Sequence, residues 1–229
     1  MMHNWLPYLL HLSDPTLPIG AYTHSGGLET YVQQGVIKDG VSAAAFIRNT
    51  LEHNLPYNDA LFAALAYQAT VADDVSLLVA LDQECTALKS PQELRMASQK
   101  LGIRLLKLFS PLAQYPTGEK YMQQIKAGSA TGHYCLAFGI YAALSGIPLT
   151  EALTAFYYNA ATGMVTTSVK LVPLGQQLGQ QILFELLSQL PALVTRTLTI
   201  PRDMAGRCSF GADISSMQHE RLYSRLYMS

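Results

Sequence analysis

Charged residues are scarce in this sequence. Asp, Glu, Lys and Arg make up 14% of its 229 residues, whereas they make up about a quarter of an average soluble protein. The 15 basic and 16 acidic side chains leave a net charge of −1, so neither a strongly basic nor a strongly acidic surface is expected. This balance argues against nucleic acid and anionic membranes as partners.

Cysteines and long apolar runs are also few. Cys85, Cys135 and Cys208 are odd in number and far apart, which predicts a reducing compartment and no disulfide framework. The most apolar window, residues 134–144, is much shorter than the ~20 residues that cross a membrane. Near the N-terminus, Pro7 interrupts the apolar residues, so the pattern of a secretion signal is missing. We therefore predict a cytoplasmic protein.

Hydrophobic residues, in contrast, are abundant at 49% of the chain. A chain of this length buries a sizeable core and is expected to form one domain. With so little charge, part of its surface must also be apolar, and such surfaces are normally covered by another protein. The composition therefore favours a protein that associates with itself or with an obligate partner.

The hydrophobic pattern is helical, and alternation typical of strands is rare. The clearest helix start is Ser90-Pro91, with Glu93 following, which predicts a helix to about Phe109. Residues 132–145 form a second strong helix, where Gly139 lets a neighbour approach. We predict an all-α, single-domain bundle of about ten helices over residues 1–200. Residues 201–212 are expected to be a flexible segment that leads to a C-terminal helix.

The most distinctive stretch of the chain is residues 17–30. Pro18 fixes one backbone angle, Gly20 permits an unusual one, and Ser25 is a candidate N-cap for a helix that ends before Gly35. A phosphate site here lacks the pattern GxxxxGK[ST], and a His24–Ser25 nucleophile lacks the strand–turn–helix context of GxSxG. Residue chemistry alone favours a tight turn between helices.

Metal and enzyme sites are weakly supported. His133 and Cys135 are two residues apart and point away from each other on a helix, and His219 and Glu220 are adjacent without an HExxH pattern. His24 has no partner at metal-binding spacing. We therefore predict no metal site, no stably bound cofactor and no catalytic residues. The rival hypothesis is an all-helical enzyme that uses Tyr22, His24 and Glu29 around a small-molecule pocket.

Residues 13–29 resemble the N-terminal signature of the urease accessory protein F family (UreF). Four further stretches resemble the same family in the same order, and together they span nearly the whole chain. They are residues 93–102, which include Arg95, Ala97, Ser98 and Gly102, residues 133–148, residues 171–183 with Val172-Pro173-Leu174-Gly175-Gln176, and residues 213–229.

The resemblance implies an all-helical homodimer without catalytic activity. In this family the F protein bridges a nickel-carrying GTPase, UreG, to the urease-docking protein UreD/UreH during delivery of nickel to the urease apoprotein. Nickel is therefore handled through the complex rather than held by this chain. Whether the protein also regulates the GTPase stays open.

Two segments are candidates for these contacts. If residues 217–229 are helical, residues four apart form apolar, aromatic and basic stripes, and such a short helix orders on a partner. The alternative is that this segment packs on its own body, and that residues 17–30 are only a turn. The residues predicted to bind UreD/UreH are Met217, His219, Arg221, Leu222, Tyr223, Arg225, Leu226 and Tyr227, and those predicted to bind UreG are Pro18, Gly20, Tyr22 and His24.

Overall fold

The structure is a computed structural model that describes residues 5–111 and 116–228. All regular structure in these residues is helical, which confirms the all-α prediction. None of the described helices is long and apolar enough to cross a membrane. The helices are α1 (Leu6–Leu12), α2 (Leu28–Gln33), α3 (Gly40–Asn49), α4 (Asp59–Val71), α5 (Val75–Leu88), α6 (Gln92–Phe109), α7 (Pro116–Lys126), α8 (Tyr134–Leu144), α9 (Leu149–Leu171), α10 (Gln176–Leu187), α11 (Leu190–Thr199) and α12 (Phe210–His219).

Helix α8 is the centre of the bundle. All residues from Cys135 to Ala142 are buried, and the helix packs chiefly against α4 and α6. A Cβ atom on Gly139 would collide with the backbone carbonyl oxygen of Ala63 on α4. The two helices therefore approach each other closely only because Gly139 has no side chain, as the sequence predicted.

We expect Gly139→Ala to destabilise the fold by about 1–3 kcal/mol, since the added methyl group must push α4 and α8 apart. Gly163→Ala is the matched control. Gly163 also lies inside a helix, but nothing lies within 4 Å of the position of its Cβ. The control is expected to stabilise the protein by about 0.5–1 kcal/mol. Urea denaturation measures both, and equal midpoints for the two variants would contradict the assigned packing.

One buried carboxylate fixes the entry to α8. Asp82 on α5 has no exposed surface and accepts the backbone N–H groups of Thr131, Gly132 and His133 at 2.6–3.1 Å. It also accepts the hydroxyl of Tyr121 on α7 at 2.7 Å. A single side chain thus holds the loop before α8 and ties together α5, α7 and α8.

The N-terminal segment is attached to the body by a small second core. Leu28 on α2 packs there with Ile37, Ala43 and Val172, all of them buried. Val172 follows α9 directly, so α2 rests on α3 and on the end of α9. This attachment places the loop of residues 17–30 at one end of the bundle.

The C-terminal helix differs from the prediction. Residues 201–209 contact the body, with the Gly206 N–H donating to the Tyr57 carbonyl oxygen at 2.9 Å and the Arg207 guanidinium 5.0 Å above the Tyr57 ring. The predicted helix over residues 217–229 is wrong: α12 ends at His219, and residues 220–228 form turns. Ser229 lies outside the described residues.

Candidate functional site

The two segments predicted to contact partners pack against each other. Helix α12 lies beside α2, and Thr30 donates its hydroxyl to the Ser215 carbonyl oxygen at 2.9 Å. In return, the Ser215 hydroxyl donates to the Gly27 carbonyl oxygen at 2.9 Å. A Cβ atom on Gly27, whose φ is 86°, would meet the Ser216 side chain, so this close contact needs glycine. The N-terminal loop and the C-terminus are therefore parts of one surface.

Glu29 is the residue on which the C-terminal turns are built. Its carboxylate is 3% exposed and accepts the backbone N–H groups of Leu226 at 2.6 Å and Tyr227 at 3.0 Å. Because these N–H groups bond to a carboxylate, they are not available to a carbonyl oxygen four residues earlier. The pairing holds the segment against the body, whereas α12 itself ends earlier, where the Arg221 and Leu222 N–H groups donate to carbonyl oxygens three residues back.

His219 lies between two carboxylates. Its Nε2 atom is 3.1 Å from a Glu29 oxygen and its Nδ1 atom is 2.7 Å from a Glu93 oxygen, and the ring is completely buried. Arg225 donates to the second Glu93 oxygen at 2.6 Å. Each ring nitrogen of His219 therefore faces one carboxylate oxygen. Below, the Glu29–His219–Glu93–Arg225 group is called the acid–histidine cluster.

The loop of residues 17–30 is held from two sides. Arg104 on α6 donates to the Ile19 carbonyl oxygen at 2.9 Å, and the next residue, Gly20, has a φ of 86°. A Cβ atom at Gly20 would collide with the Arg104 guanidinium. From the other side, the Met228 N–H donates to the Thr23 carbonyl oxygen at 2.8 Å. The C-terminal turns thus contact the loop directly.

The prediction that Ser25 caps α2 is wrong. Gly27 occupies the N-cap position in a left-handed conformation, and no side chain caps this helix. The Ser25 hydroxyl is buried and has no hydrogen-bond partner within the described part of the chain. A left-handed glycine reverses the chain more tightly than serine allows, which is why the cap is backbone alone.

The four loop residues predicted to bind UreG differ in exposure. Pro18 and Tyr22 are exposed, and the Tyr22 side chain is 70% accessible. Gly20 and His24 are partly buried. Burial lowers the pKa of the His24 imidazole, and the neighbouring Lys100 and Arg104 cations lower it further, so His24 is a neutral group at neutral pH.

The C-terminal residues also divide into two groups. His219 and Tyr227 point inward and are buried, whereas Leu222 is partly buried. Tyr223 is fully exposed and Leu226 is 67% exposed. The outward residues of the predicted set are Met217, Arg221, Tyr223, Arg225 and Leu226.

Sequence reasoning missed two further exposed apolar residues on this surface. Phe210 and Ile214 on α12 are 76% and 53% exposed, and Met217 completes the row at 42%. Their spacing of four and three residues is a helical stripe that the sequence itself contains. The stripe begins at Phe210, inside the stretch of residues 201–212 that the sequence predicts to be flexible.

The rival enzyme site is not assembled by the structure. His24 and Tyr22 line a cavity of about 210 Å³, and His24 also lines a neighbouring cavity of about 340 Å³. Glu29 belongs to neither cavity, and its carboxylate already binds two N–H groups and His219. Within residues 5–111 and 116–228, no group of three or more His, Cys, Asp or Glu side chains is arranged to hold a metal ion.

Comparison with known proteins gives one consistent result. The UreF family model matches residues 37–187, which lie between the two ends that form the candidate surface. The urease accessory protein UreF of Actinobacillus pleuropneumoniae is 45% identical over 221 residues, covering 96% of this chain and 97% of that protein. The proteins of the same name from Haemophilus influenzae and Arthrobacter sp. are 41% and 36% identical over 221 residues, covering 96% of this chain and 94% and 96% of those proteins. The chain therefore belongs to the UreF family.

Proposed function

We propose that this protein is a cytoplasmic scaffold in urease maturation that joins a UreG-type GTPase to a UreD/UreH-type accessory protein. The name that its relatives share, urease accessory protein, supports a role in that process. Nickel is the cargo of the complex on its way to the urease apoprotein, and this chain holds no cofactor of its own. It acts as a homodimer through contacts with its partners rather than through catalysis.

The observation that carries this proposal is the pairing of the acid–histidine cluster, in which Glu29 and His219 are buried, with exposed apolar side chains. The acid–histidine cluster fixes the backbone of residues 220–228, while Tyr223 and Leu226 on that backbone point into solvent. Fixing exposed side chains before binding reduces the entropy lost on association. Tyrosine and arginine are also the residue types that dominate binding energies at interfaces.

We assign the UreD/UreH-type partner to the outward face of the C-terminal segment. The apolar stripe of Phe210, Ile214 and Met217 extends this face along α12. The UreG-type partner is assigned to the N-terminal loop, where Pro18 and Tyr22 are exposed. The contact between Met228 and Thr23 makes the two surfaces neighbours, which suits a protein that holds two partners at once.

Co-purification from cells that express the urease cluster tests the proposal. The full chain is expected to retain both partners, and deletion of residues 217–229 is expected to lose the UreD/UreH-type protein. The double variant Tyr223→Ala/Leu226→Ala is sharper, because both side chains are exposed and their removal leaves the acid–histidine cluster intact. We expect the double variant to bind the UreD/UreH-type protein at least about tenfold more weakly, since one interface hot spot contributes ~2 kcal/mol or more.

The matched control is Phe184→Ala on α10. Phe184 is 78% exposed but lies outside α12 and the C-terminal turns, so both partners should be retained. Tyr22→Ala is expected to weaken binding of the UreG-type partner only. Failure of the unaltered chain to bind either protein, or turnover of a small molecule that His24→Ala abolishes, would contradict the scaffold role.

A further inference from the structure

Two thiols lie side by side inside the protein. The Sγ atoms of Cys85 and Cys135 are 3.9 Å apart, and both side chains are buried. Cys85 belongs to the last turn of α5 and Cys135 to the first turn of α8, fifty residues later. Cys208 is exposed and lies on the separate segment before α12. Two thiols brought together from different helices are the arrangement from which a disulfide forms.

Polar groups around the pair make its two members unequal. The hydrogen bond from the Cys135 thiol, together with smaller effects of His133 and the Lys89 cation, lowers the pKa of the Cys85 thiol to about 6. Lys89 lies one turn after Cys85 and forms an ion pair with Asp59 at 2.9 Å. Burial raises the pKa of the Cys135 thiol. Cys85 is therefore the thiolate and Cys135 the neutral thiol beside it.

A cavity of about 340 Å³ comes close to the pair, although neither thiol lines it. Its lining includes Lys89, whose cation acts on both thiols, and Asp59, whose charge acts on Cys135. The same cavity is lined by Gly26, which is exposed at the surface. A molecule as small as hydrogen peroxide fits within this space and reaches Lys89, one helical turn from Cys85.

We propose that Cys85 and Cys135 are a peroxide-reactive dithiol site that closes to a disulfide between α5 and α8. The Cys85 thiolate attacks one peroxide oxygen, the O–O bond breaks, and a sulfenic acid forms on Cys85. The departing hydroxide becomes water by taking up one proton from solvent, equivalent to the proton that Cys85 released on ionisation. The Cys135 sulfur then attacks the sulfenic sulfur, the S–O bond breaks, and its hydroxide leaves as water with the Cys135 proton. Two thiols are oxidised, one peroxide is reduced, and two waters are formed.

The test uses the full chain with Cys208→Ser, which removes the exposed thiol. After treatment with hydrogen peroxide and alkylation of the remaining thiols, non-reducing peptide mapping is expected to show one peptide pair that joins positions 85 and 135. Both thiols should be lost together, with one peroxide consumed for each disulfide. The proposal is overturned if both thiols remain alkylatable at a peroxide concentration that fully oxidises Cys208 in the unsubstituted protein.

A second variant tests the order of the steps. With Cys135→Ser added, the sulfenic acid cannot be resolved, so dimedone should label Cys85. With Cys85→Ser instead, labelling of Cys135 should be at least about tenfold lower, since thiol reactivity follows the thiolate fraction. Equal labelling of the two single thiols would overturn the assignment of Cys85 as the attacking group.

Discussion

Glu29→Gln is expected to release the C-terminal turns from the body and to lower the affinity for the UreD/UreH-type partner at least about tenfold. In the native protein one carboxylate oxygen accepts the Leu226 N–H, and the other accepts the Tyr227 N–H and His219. Glutamine replaces one of these oxygens with an NH₂ group, so a donor then faces a donor. Each hydrogen bond to a charged group contributes about 1.5–3 kcal/mol, and at least one is lost.

Hydrogen exchange of the isolated protein measures the release, and titration with the partner measures the loss of affinity. Glu185→Gln is the control, because Glu185 is an exposed carboxylate on α10. Faster exchange at Leu226 and Tyr227 with unchanged exchange in α8 would show that the effect is local. Native protection of both amides in the Glu29 variant would mean that the carboxylate does not hold this segment.

Asp82→Ala is expected to destabilise the whole fold by at least about 3 kcal/mol. The substitution leaves the N–H groups of Thr131, Gly132 and His133 and the hydroxyl of Tyr121 without their acceptor. Each buried donor without a partner costs about 1–3 kcal/mol, and water can reach only some of them. The loop before α8 should therefore loosen together with the contacts of α5 and α7.

Urea denaturation followed by circular dichroism gives the free energy of unfolding of this variant. Asp203→Ala removes an exposed aspartate from the segment before α12 and should change stability by less than about 0.5 kcal/mol. If the unfolding midpoints of Asp82→Ala and Asp203→Ala agree within experimental error, the buried carboxylate does not stabilise the fold. The Glu29→Gln and Asp82→Ala substitutions should have different effects, because Glu29 holds only the C-terminal segment whereas Asp82 holds the buried contacts of α5, α7 and α8.

Much of the bundle was predictable because helices are specified locally. The Ser90-Pro91 signal predicted α6, which begins one residue later than a serine cap requires, at Gln92. Gly139 was expected to allow a close helix contact, and its Cβ position indeed coincides with the α4 backbone. Helix starts and helix faces depend on residues within about four positions of each other, so a local stretch of sequence is enough to predict them.

The candidate surface was predictable only in part. The N-terminal and C-terminal segments were identified separately, but nothing local indicated that Glu29 and His219 meet across 190 residues of chain. The spacing of Tyr223 and Tyr227 favoured a helix, yet Tyr227 is buried and Tyr223 is exposed on irregular turns. The Leu226 and Tyr227 N–H groups instead donate to the Glu29 carboxylate, which belongs to another element.

The sequence by itself determined the all-helical class, the positions of α6 and α8 and the family, because all of these follow from residue order and from spacing along the chain. Only the tertiary structure decided that both ends of the chain form one surface. The acid–histidine cluster draws its members from residues 29, 93, 219 and 225, so its hydrogen bonds exist only after α2, α6 and α12 have packed together. Buried charges are stable only when paired, and which charges pair depends on the three-dimensional packing of distant elements.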